Sequence, residues 1–580
     1  MSIRKHIEMD SQRNVYGFVN LGVANDMDGD EIQEAKNALV FLAVGINGYW
    51  KLPIGYFLID GLNGKERANL LQKAIELLSD TGVKINSITF DGTSVNTTMV
   101  KSLGADLNTK PYIINPQRNE PIYIFLDAAH MIKLVRNAWG DKKYKKNLNG
   151  QSELVPKLLY NSQEQLIRWD YLEMLYKLEC EKGLRAGTKI TVRHIKYTDG
   201  KMNVRLAAQT LSQSVADALM FLKDTEPGFK NVDATVEFVT YMNNAFDILN
   251  SRSKFSIKPY NKPISEETIT KYKEFTNEFS LYVQGLRFVE HKNDQPIITY
   301  VLQSNRKTGF LGLVLGLKNA IKLYEHFIQE EHIKYLLTYK LSQDHIETTF
   351  SAIRSRGGYN NNPTCRQFSA AYKRILVHNQ VVGSIYGNCT ILDKTKNYIE
   401  NSPSLESDLP LSSFHQLDHD YLDINNVGHF VENISNYVAG FVARAIAKKV
   451  TCDNCKKMLF TTTNNTALHS QLLEQKDRGG LSKPSEIVRK ICLESERVFK
   501  SSSFTINHKK NINFLWNKIK NNLHQFNIYF NKNDCSENIS ILDTHRDQLT
   551  NLVIFKYLDI RMYHELKKKN DTITIRSKYT

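Results

Sequence analysis

Apolar positions along the chain follow two periods, and the switch between them divides it. Residues 38–46 and 52–58 are apolar β-type runs, and residues 12–21 also read as a strand. The acidic tract 25–34 reads as a loop. Gly64 to Asp80 has helical periodicity, with Leu70, Leu71, Ala74, Leu77 and Leu78 on the side expected to be buried. A short strand, 84–90, ends in Asp91-Gly92, and a helix through Leu103 follows. Residues 111–115 and 122–126 are again strands, and the second ends in Asp127 ahead of a helix over 128–139. Strands first, then strand–helix alternation, predict an α/β layer with a mixed sheet.

From about residue 142 to 335 the period becomes helical. Candidate helices cover 162–180, 205–222, 235–251, 266–285 and 309–329, enough for a domain. The stretch Leu341 to Gly358 is amphipathic in a telling way. Ile346, Phe350 and Ile353 form an apolar seam, while Asp344, Glu347 and Ser351 share another side with Arg354 a turn beyond. Gly357-Gly358 ends the helix. Residues 367–377 continue as helix, 401–410 form a Ser/Pro/acidic linker, and 424–500 read as a compact helical module. The segment from Ser501 is rich in Lys and Asn and reads as a basic tail.

Length and charge narrow the function. At 580 residues the chain exceeds one ordinary core. Lys and Arg number 76 against 61 Asp and Glu, a net +15, which favours a polyanionic partner, nucleic acid above all. Seven cysteines, an odd and mostly scattered set, suit a reducing compartment. No apolar run has the length of a membrane span, and the start, Met1-Ser-Ile-Arg-Lys-His, reads as the interior of a domain and not as a signal peptide.

Three groups of residues could carry chemistry. Asp91 and Asp127 both stand at strand ends, where ligands gather in α/β sheets, and position alone does not choose between them. A strand-end carboxylate could share a divalent ion with one on the 341–358 helix; the alternative is an ordinary Asp-Gly turn and a solvated helix face. Cys452-Asp-Asn-Cys455 has half a zinc site's spacing. Cys492, His469 and His508 could complete it at irregular intervals, and a structural pair of thiols is the alternative. A P-loop is excluded, because no Gly-x-x-x-x-Gly-Lys-Ser/Thr occurs.

Met1-Ser-Ile-Arg-Lys, Phe90-Asp-Gly, the run Ile122 to Asn137 and the run Ser342 to Gly358 together resemble the P-element transposase family, which includes transposases with an N-terminal THAP zinc finger. The resemblance extends from Met1 to about residue 500. It implies an RNase H-like mixed α/β fold interrupted by a mostly helical GTP-binding insertion domain and followed by a helical C-terminal region. The implied divisions are 1–141 and 336–376 for the RNase H-like parts, 142–335 for the insertion, 377–423 for a linker, 424–500 for the helical module and 501–580 for the tail. It also implies Mg²⁺-dependent DNA cleavage and strand transfer, with Asp91 as second and Glu347 as third catalytic and metal-holding carboxylate. Asp344 beside them would contact nucleotide or metal.

The family's first carboxylate lies in an Asp-Glu pair just before the Met-Ser-Ile segment. The chain begins at that Met, so the resemblance leads us to expect an N-terminally truncated, inactive copy lacking the THAP finger. Asp10 is the nearest Asp, expected in a hairpin turn. In the insertion, the segments 201–212 and 246–250 match, and the resemblance points to Asp247, Asn250, Val204, Ser212 and Lys189 as GTP contacts. An Asp carboxylate can accept from the guanine N1–H and N2–H₂ edge, which adenine lacks; without the resemblance, Asp247 and Asn250 are a polar helix face. Asn203 stands where a basic residue is expected. Nuclear localisation, DNA partners at transposon ends and target, and a homo-oligomer on DNA follow from the same resemblance. The rival readings are a nuclease-dead, host-adopted DNA-binding protein and a guanine-nucleotide-binding module without DNA chemistry. The stretch Asp477-Arg-Gly-Gly-Leu-Ser-Lys-Pro484 also matches, without an evident chemistry.

Overall fold

The computed structural model describes residues 1–22, 32–146, 152–156, 158–292, 295–330, 332–358, 360–378, 428–461, 470–502, 510–530 and 545–576. Most of the acidic tract 25–34, most of the 377–423 linker, His469 and His508 lie outside these residues. The chain forms two compact units. The first comprises Met1–Ile167, Tyr197–Leu211 and Thr240–Leu405; the second comprises Arg168–Lys196, Ser212–Val239 and Glu406–Thr580.

In the first unit, strands Asn37–Val44 and Lys51–Ile59 pair antiparallel, with a register shift where Leu42 faces Pro53. Proline has no N–H to give the ladder, so the strand bulges there. The first residues of the chain lie along the outer side of this pair: Met1 and Ala38 exchange backbone bonds at 2.8 Å each way. A second sheet has the order Ser87–Phe90, Pro121–Leu126, Tyr112–Ile114, the first pairing parallel and the second antiparallel. Its central strand is a continuous apolar run, and Ile122 and Ile124 are wholly buried.

Helix Lys307–Gln329 packs on this strand and on helix Ala128–Trp139. The approach is close because Gly312 has no side chain: a Cβ there would fall 2.3 Å from the Met131 sulfur. Inside that helix, buried Asn319 donates to the carbonyls of Pro111 (2.9 Å) and Ile124 (2.7 Å), so the helix is tied to the sheet by polar bonds as well as packing.

One core joins the two ends of the unit. Ile3, Ala38, Val40 and Leu58 pack with Phe350 and Ile353 of helix Asp344–Arg356 and with Phe368 and Ile375 of helix Cys365–His378. The predicted apolar seam is the buried one, with Ile346 at its margin. Buried Lys340 reinforces the closure. Its ammonium donates to the carbonyls of Gly45 and Ile46 at 2.9 Å each and to that of Gly48, in the turn between the paired strands.

Several local expectations need correction. Residues 12–21 are not one strand: two-residue strands Glu8–Met9 and Val15–Tyr16 flank a turn built on Asp10. Helix Gly64–Asp80 has the predicted bounds and a capping box from Asn63 and Glu66. Its buried stripe, however, is Ala68, Leu71 and Ile75, and Leu77 is exposed. The 205–222 run breaks into Val204–Thr210 and Gln213–Thr225, because Ser212 adopts extended backbone as an N-cap. The first part of the 162–180 run is a strand, Leu166–Ile167, paired with Leu158–Tyr160 around a turn held by Asn161; the helix is Asp170–Lys182. The hairpin Arg287–Lys292 with Gln295–Tyr300, unforeseen in the sequence, completes that sheet.

The second unit is helical. Helices His429–Ala447 and Glu486–Ser501 share their core with Lys510–Gln525 and His545–Arg576, through Val442, Ile446, Val488, Ile491, Leu515, Ile519, Val553 and Tyr557. Residues beyond 500 thus carry core helices, with Leu515, Ile519, Val553 and Tyr557 buried, where composition alone suggested a basic tail. The Asp477–Pro484 stretch is an anchor: Arg478 pairs with Asp217 at 2.8 Å and Asp477 caps its own turn by accepting from the Gly479 N–H.

Candidate active site

Asp91 follows strand Ser87–Phe90 and is half-buried. The Thr93 N–H, the Thr93 hydroxyl (2.8 Å) and the Asn96 amide (2.7 Å) all donate to one of its oxygens, Oδ1. This one-sided grip fixes the carboxylate and leaves Oδ2 for a further ligand. Gly92 is required by crowding, since a Cβ there would meet Thr308 Cγ2 at 2.5 Å.

Asp127 is built for a different task. It is the N-cap of helix Ala128–Trp139; Oδ2 accepts from the His130 N–H (2.9 Å) and Oδ1 from the Gln343 N–H (3.1 Å). Both oxygens are spent on backbone, and burial, with a smaller contribution from the Asp344 charge, pushes its pKa up to about 6. The two strand-end carboxylates therefore differ in geometry: Asp127 fastens the entry of helix Asp344–Arg356, and Asp91 accepts its hydrogen bonds on one oxygen.

Glu347 is exposed on the first turn of helix Asp344–Arg356. It lies near enough to the Met1 amino group to raise that group's pKa, against burial, which lowers it most; Arg354 and Arg67 also act there. Arg67 donates to Asn96 Oδ1 at 2.8 Å, and Asn96 grips Asp91, so the surroundings of the two carboxylates are linked through Arg67. His130 belongs to the same neighbourhood: burial lowers its pKa most, Lys133 adds to this, and Asp91 opposes it. Sequence reading passed over His130, although its place three residues after an N-capping Asp aims it at the strand ends. Among the described residues, Asp91, Asp127, Asp344 and Glu347 do not gather three oxygens at metal-binding spacing.

Asp344 is neutralised by Arg252, whose guanidinium also donates to Asn250 Oδ1 at 3.2 Å. Two residues flagged in the sequence for nucleotide are thus brought together by a cation that the sequence did not single out. Asp247 accepts from Lys258 on both oxygens (3.3 and 3.1 Å) and from the Asn243 amide. Lys258 is itself 62% exposed and can be displaced by a ligand that brings its own donors. Val204 opens helix Val204–Thr210, where Asn203 serves as N-cap to the Leu206 N–H; capping explains the Asn where a cation was expected. Ser212 and Lys189 belong to the second unit, Ser212 as the N-cap of Gln213–Thr225 and Lys189 exposed ahead of helix Val192–Ile195. Asp10 accepts from the Gln12 and Asn14 N–H groups and from the Tyr16 hydroxyl, as the staple of its turn.

Family models match in the order this architecture requires. They are the TNP-like RNase H N-terminal domain (residues 1–104), the TNP-like GTP-binding insertion domain (129–263), the TNP-like RNase H C-terminal domain (339–373) and the C-terminal domain of DNA transposase THAP9 (426–567). Human DNA transposase THAP9 is 27% identical over 535 residues, covering 87% of this chain. The chain is similar to the P-element transposase family along most of its length. The Transposable element P transposase of Drosophila melanogaster is 24% identical over 570 residues, covering 95% of this chain. The chain spans 55% and 66% of the lengths of these two relatives. Among solved structures, the Drosophila P element transposase strand transfer complex matches 65% of this chain and 75% of its own with a TM-score of 0.51 at 21% identity, a likeness of fold. The RNase H-like mixed α/β fold with its insertion and helical C-terminal region stands as expected.

Proposed function

We propose that the chain is a DNA transposase of the P-element type, cutting DNA and joining strands at a site that includes Asp91 and Glu347. The observation that supports this reading is a strand-end Asp91 with one oxygen unspent, whose Asn96 partner accepts from Arg67, a cation that acts, as Glu347 does, on the Met1 amino group. Hard carboxylate oxygens with a fixed orientation fit Mg²⁺, and Asp91 and Glu347 would hold it. When bound, such an ion lowers the pKa of the attacking hydroxyl and offsets charge on the leaving oxygen. The protein's share is to orient the carboxylates: Thr93 and Asn96 hold Asp91, and Asp127 holds the backbone ahead of Glu347. Arg354 and Arg356, at the far end of that helix, suit phosphate contact, as does the overall excess of cations. GTP would act as a cofactor of the insertion, with Asp247 at the guanine edge, and action on chromosomal DNA implies a nuclear protein working as an oligomer.

The full chain should bind duplex DNA with an affinity that falls steeply with salt. Extended at its N-terminus by the Asp-Glu segment that the resemblance places before Met1, it should also nick supercoiled plasmid in Mg²⁺ or Mn²⁺, and Asp91→Asn or Glu347→Gln should abolish that nicking while leaving binding intact. Nicking that survives both substitutions would refute the site. Salt-dependent binding without any metal-dependent nicking would refute the enzymatic reading and favour a nuclease-dead DNA-binding protein.

A further inference from the structure

We propose that Cys452, Cys455 and His545 bind a zinc ion that clips the start of the last helix to the helical core. Their ligand atoms lie within 4.8 Å of one another, the one grouping of three such side chains at metal-binding spacing among the described residues. Cys452 caps helix Asp453–Met458, Cys455 is buried on its first turn against the core, and His545 is the first residue of helix His545–Arg576. The Cys455 sulfur stands 3.8 Å from His545 Nδ1 across 90 residues of sequence. Tetrahedral zinc, with Zn–S near 2.3 Å and Zn–N near 2.0–2.1 Å, sets its sulfur and nitrogen ligands about 3.6 Å apart. A few tenths of an ångström separate the observed distance from that value.

The donor set selects the metal. Two thiolates and an imidazole are soft to intermediate ligands, suited to zinc and poorly suited to Mg²⁺ or Ca²⁺, so this site is chemically separate from the carboxylate site of the first unit. The Cys-x-x-Cys spacing is that of zinc ligands on one turn, and the third ligand comes from the far end of the module. Of the partners weighed from the sequence, Cys492 is fully buried in the core and outside this grouping, and His469 and His508 lie outside the described residues. Bound zinc would fix helix His545–Arg576 at its first residue.

Metal analysis of the purified full chain, dialysed against metal-free buffer without chelator, should find about one zinc per chain. Cys452→Ser and His545→Ala should each reduce it below about one-tenth, with far-UV circular dichroism unchanged. Cobalt added to the chelator-stripped wild type should give a thiolate charge-transfer band. Zinc should also shield Cys452 and Cys455 from iodoacetamide, read by peptide mass spectrometry, which keeps the test informative if the variants do not fold. Zinc-free wild type with no cobalt band, zinc retained in both variants, or alkylation of the two cysteines indifferent to zinc would each overturn the proposal.

Discussion

Asp127→Asn should remove a pH dependence of stability whose size can be worked out. The folded carboxyl titrates at about 6 and the unfolded one near 3.8, chiefly because burial penalises its charge. Between those values the folded state holds the proton that the unfolded state has lost. Stability from this group is therefore full below the unfolded pKa, falls as pH rises, and is gone above the folded pKa. A gap of roughly two pKa units amounts to about 3 kcal/mol, of which about 2 kcal/mol is crossed between about pH 4.5 and 7.5. Asparagine does not titrate. Its carbonyl can keep the His130 N–H, but the bond from Gln343 is lost at a pH-independent cost of about 1–3 kcal/mol. Urea unfolding of wild type and variant, read by Trp139 in the same unit, gives the difference at each pH. That difference should move in the variant's favour by about 2 kcal/mol as the pH rises over this range. A difference constant to within about 0.5 kcal/mol would refute a folded-state proton on Asp127.

Arg561→Leu should cost about 3–5 kcal/mol, because it strands Glu496, which is fully buried and accepts from Arg561 at 2.6 Å and from the Tyr557 hydroxyl at 2.9 Å. Adding Glu496→Gln should recover part of the loss in a thermal-unfolding double-mutant cycle. Lys340→Met should lower the urea midpoint by an amount equivalent to about 2–3 kcal/mol, since the Gly45, Ile46 and Gly48 carbonyls lose their charged donor. In isothermal titration of the full chain, GTP should bind better than ATP without turnover, and Asp247→Ala should reduce the preference by roughly ten- to a hundredfold, the worth of a charge-assisted hydrogen bond of about 1.5–3 kcal/mol. Equal binding of the two nucleotides by wild type would return Asp247 to its pairing with Lys258.

Where one local rule dominated, the fold was legible. Helix Gly64–Asp80 has a capping box, and helix Asp344–Arg356 combines an apolar seam with a glycine stop, so both appear in the sequence at nearly their true bounds. Where two rules competed, it was not. The periodic run 205–222 hides a break because the apolar spacing continues while Ser212 takes the capping conformation. The strand Gln295–Tyr300 opens with Gln-Pro, and a proline speaks against a strand unless it sits near an end, as here. The candidate site was legible as single residues and not as a set. Asp91 and Glu347 stand in the motifs, but the roles of Asn96, Arg67 and Arg252 arise only from distances across the fold. His545 shows the limit most clearly, since a ligand 90 residues from its partner leaves no spacing to recognise.

The core that joins Ile3 to Ile353 also dictates an order of events during synthesis. Strands made first cannot be covered until helices Asp344–Arg356 and Cys365–His378 have emerged, so a nascent chain carries an unfinished sheet for most of its elongation. Closing an unstructured loop of about 300 residues costs about 2 kcal/mol more than closing one of about 30. If the elements between fold first, the long tether behaves as a short one and the late helices find the early strands near at hand. Mutations that slow those intervening elements should therefore lower the yield of folded protein through aggregation of the exposed Asn37–Val44 and Lys51–Ile59 strands, even where the final structure is unchanged.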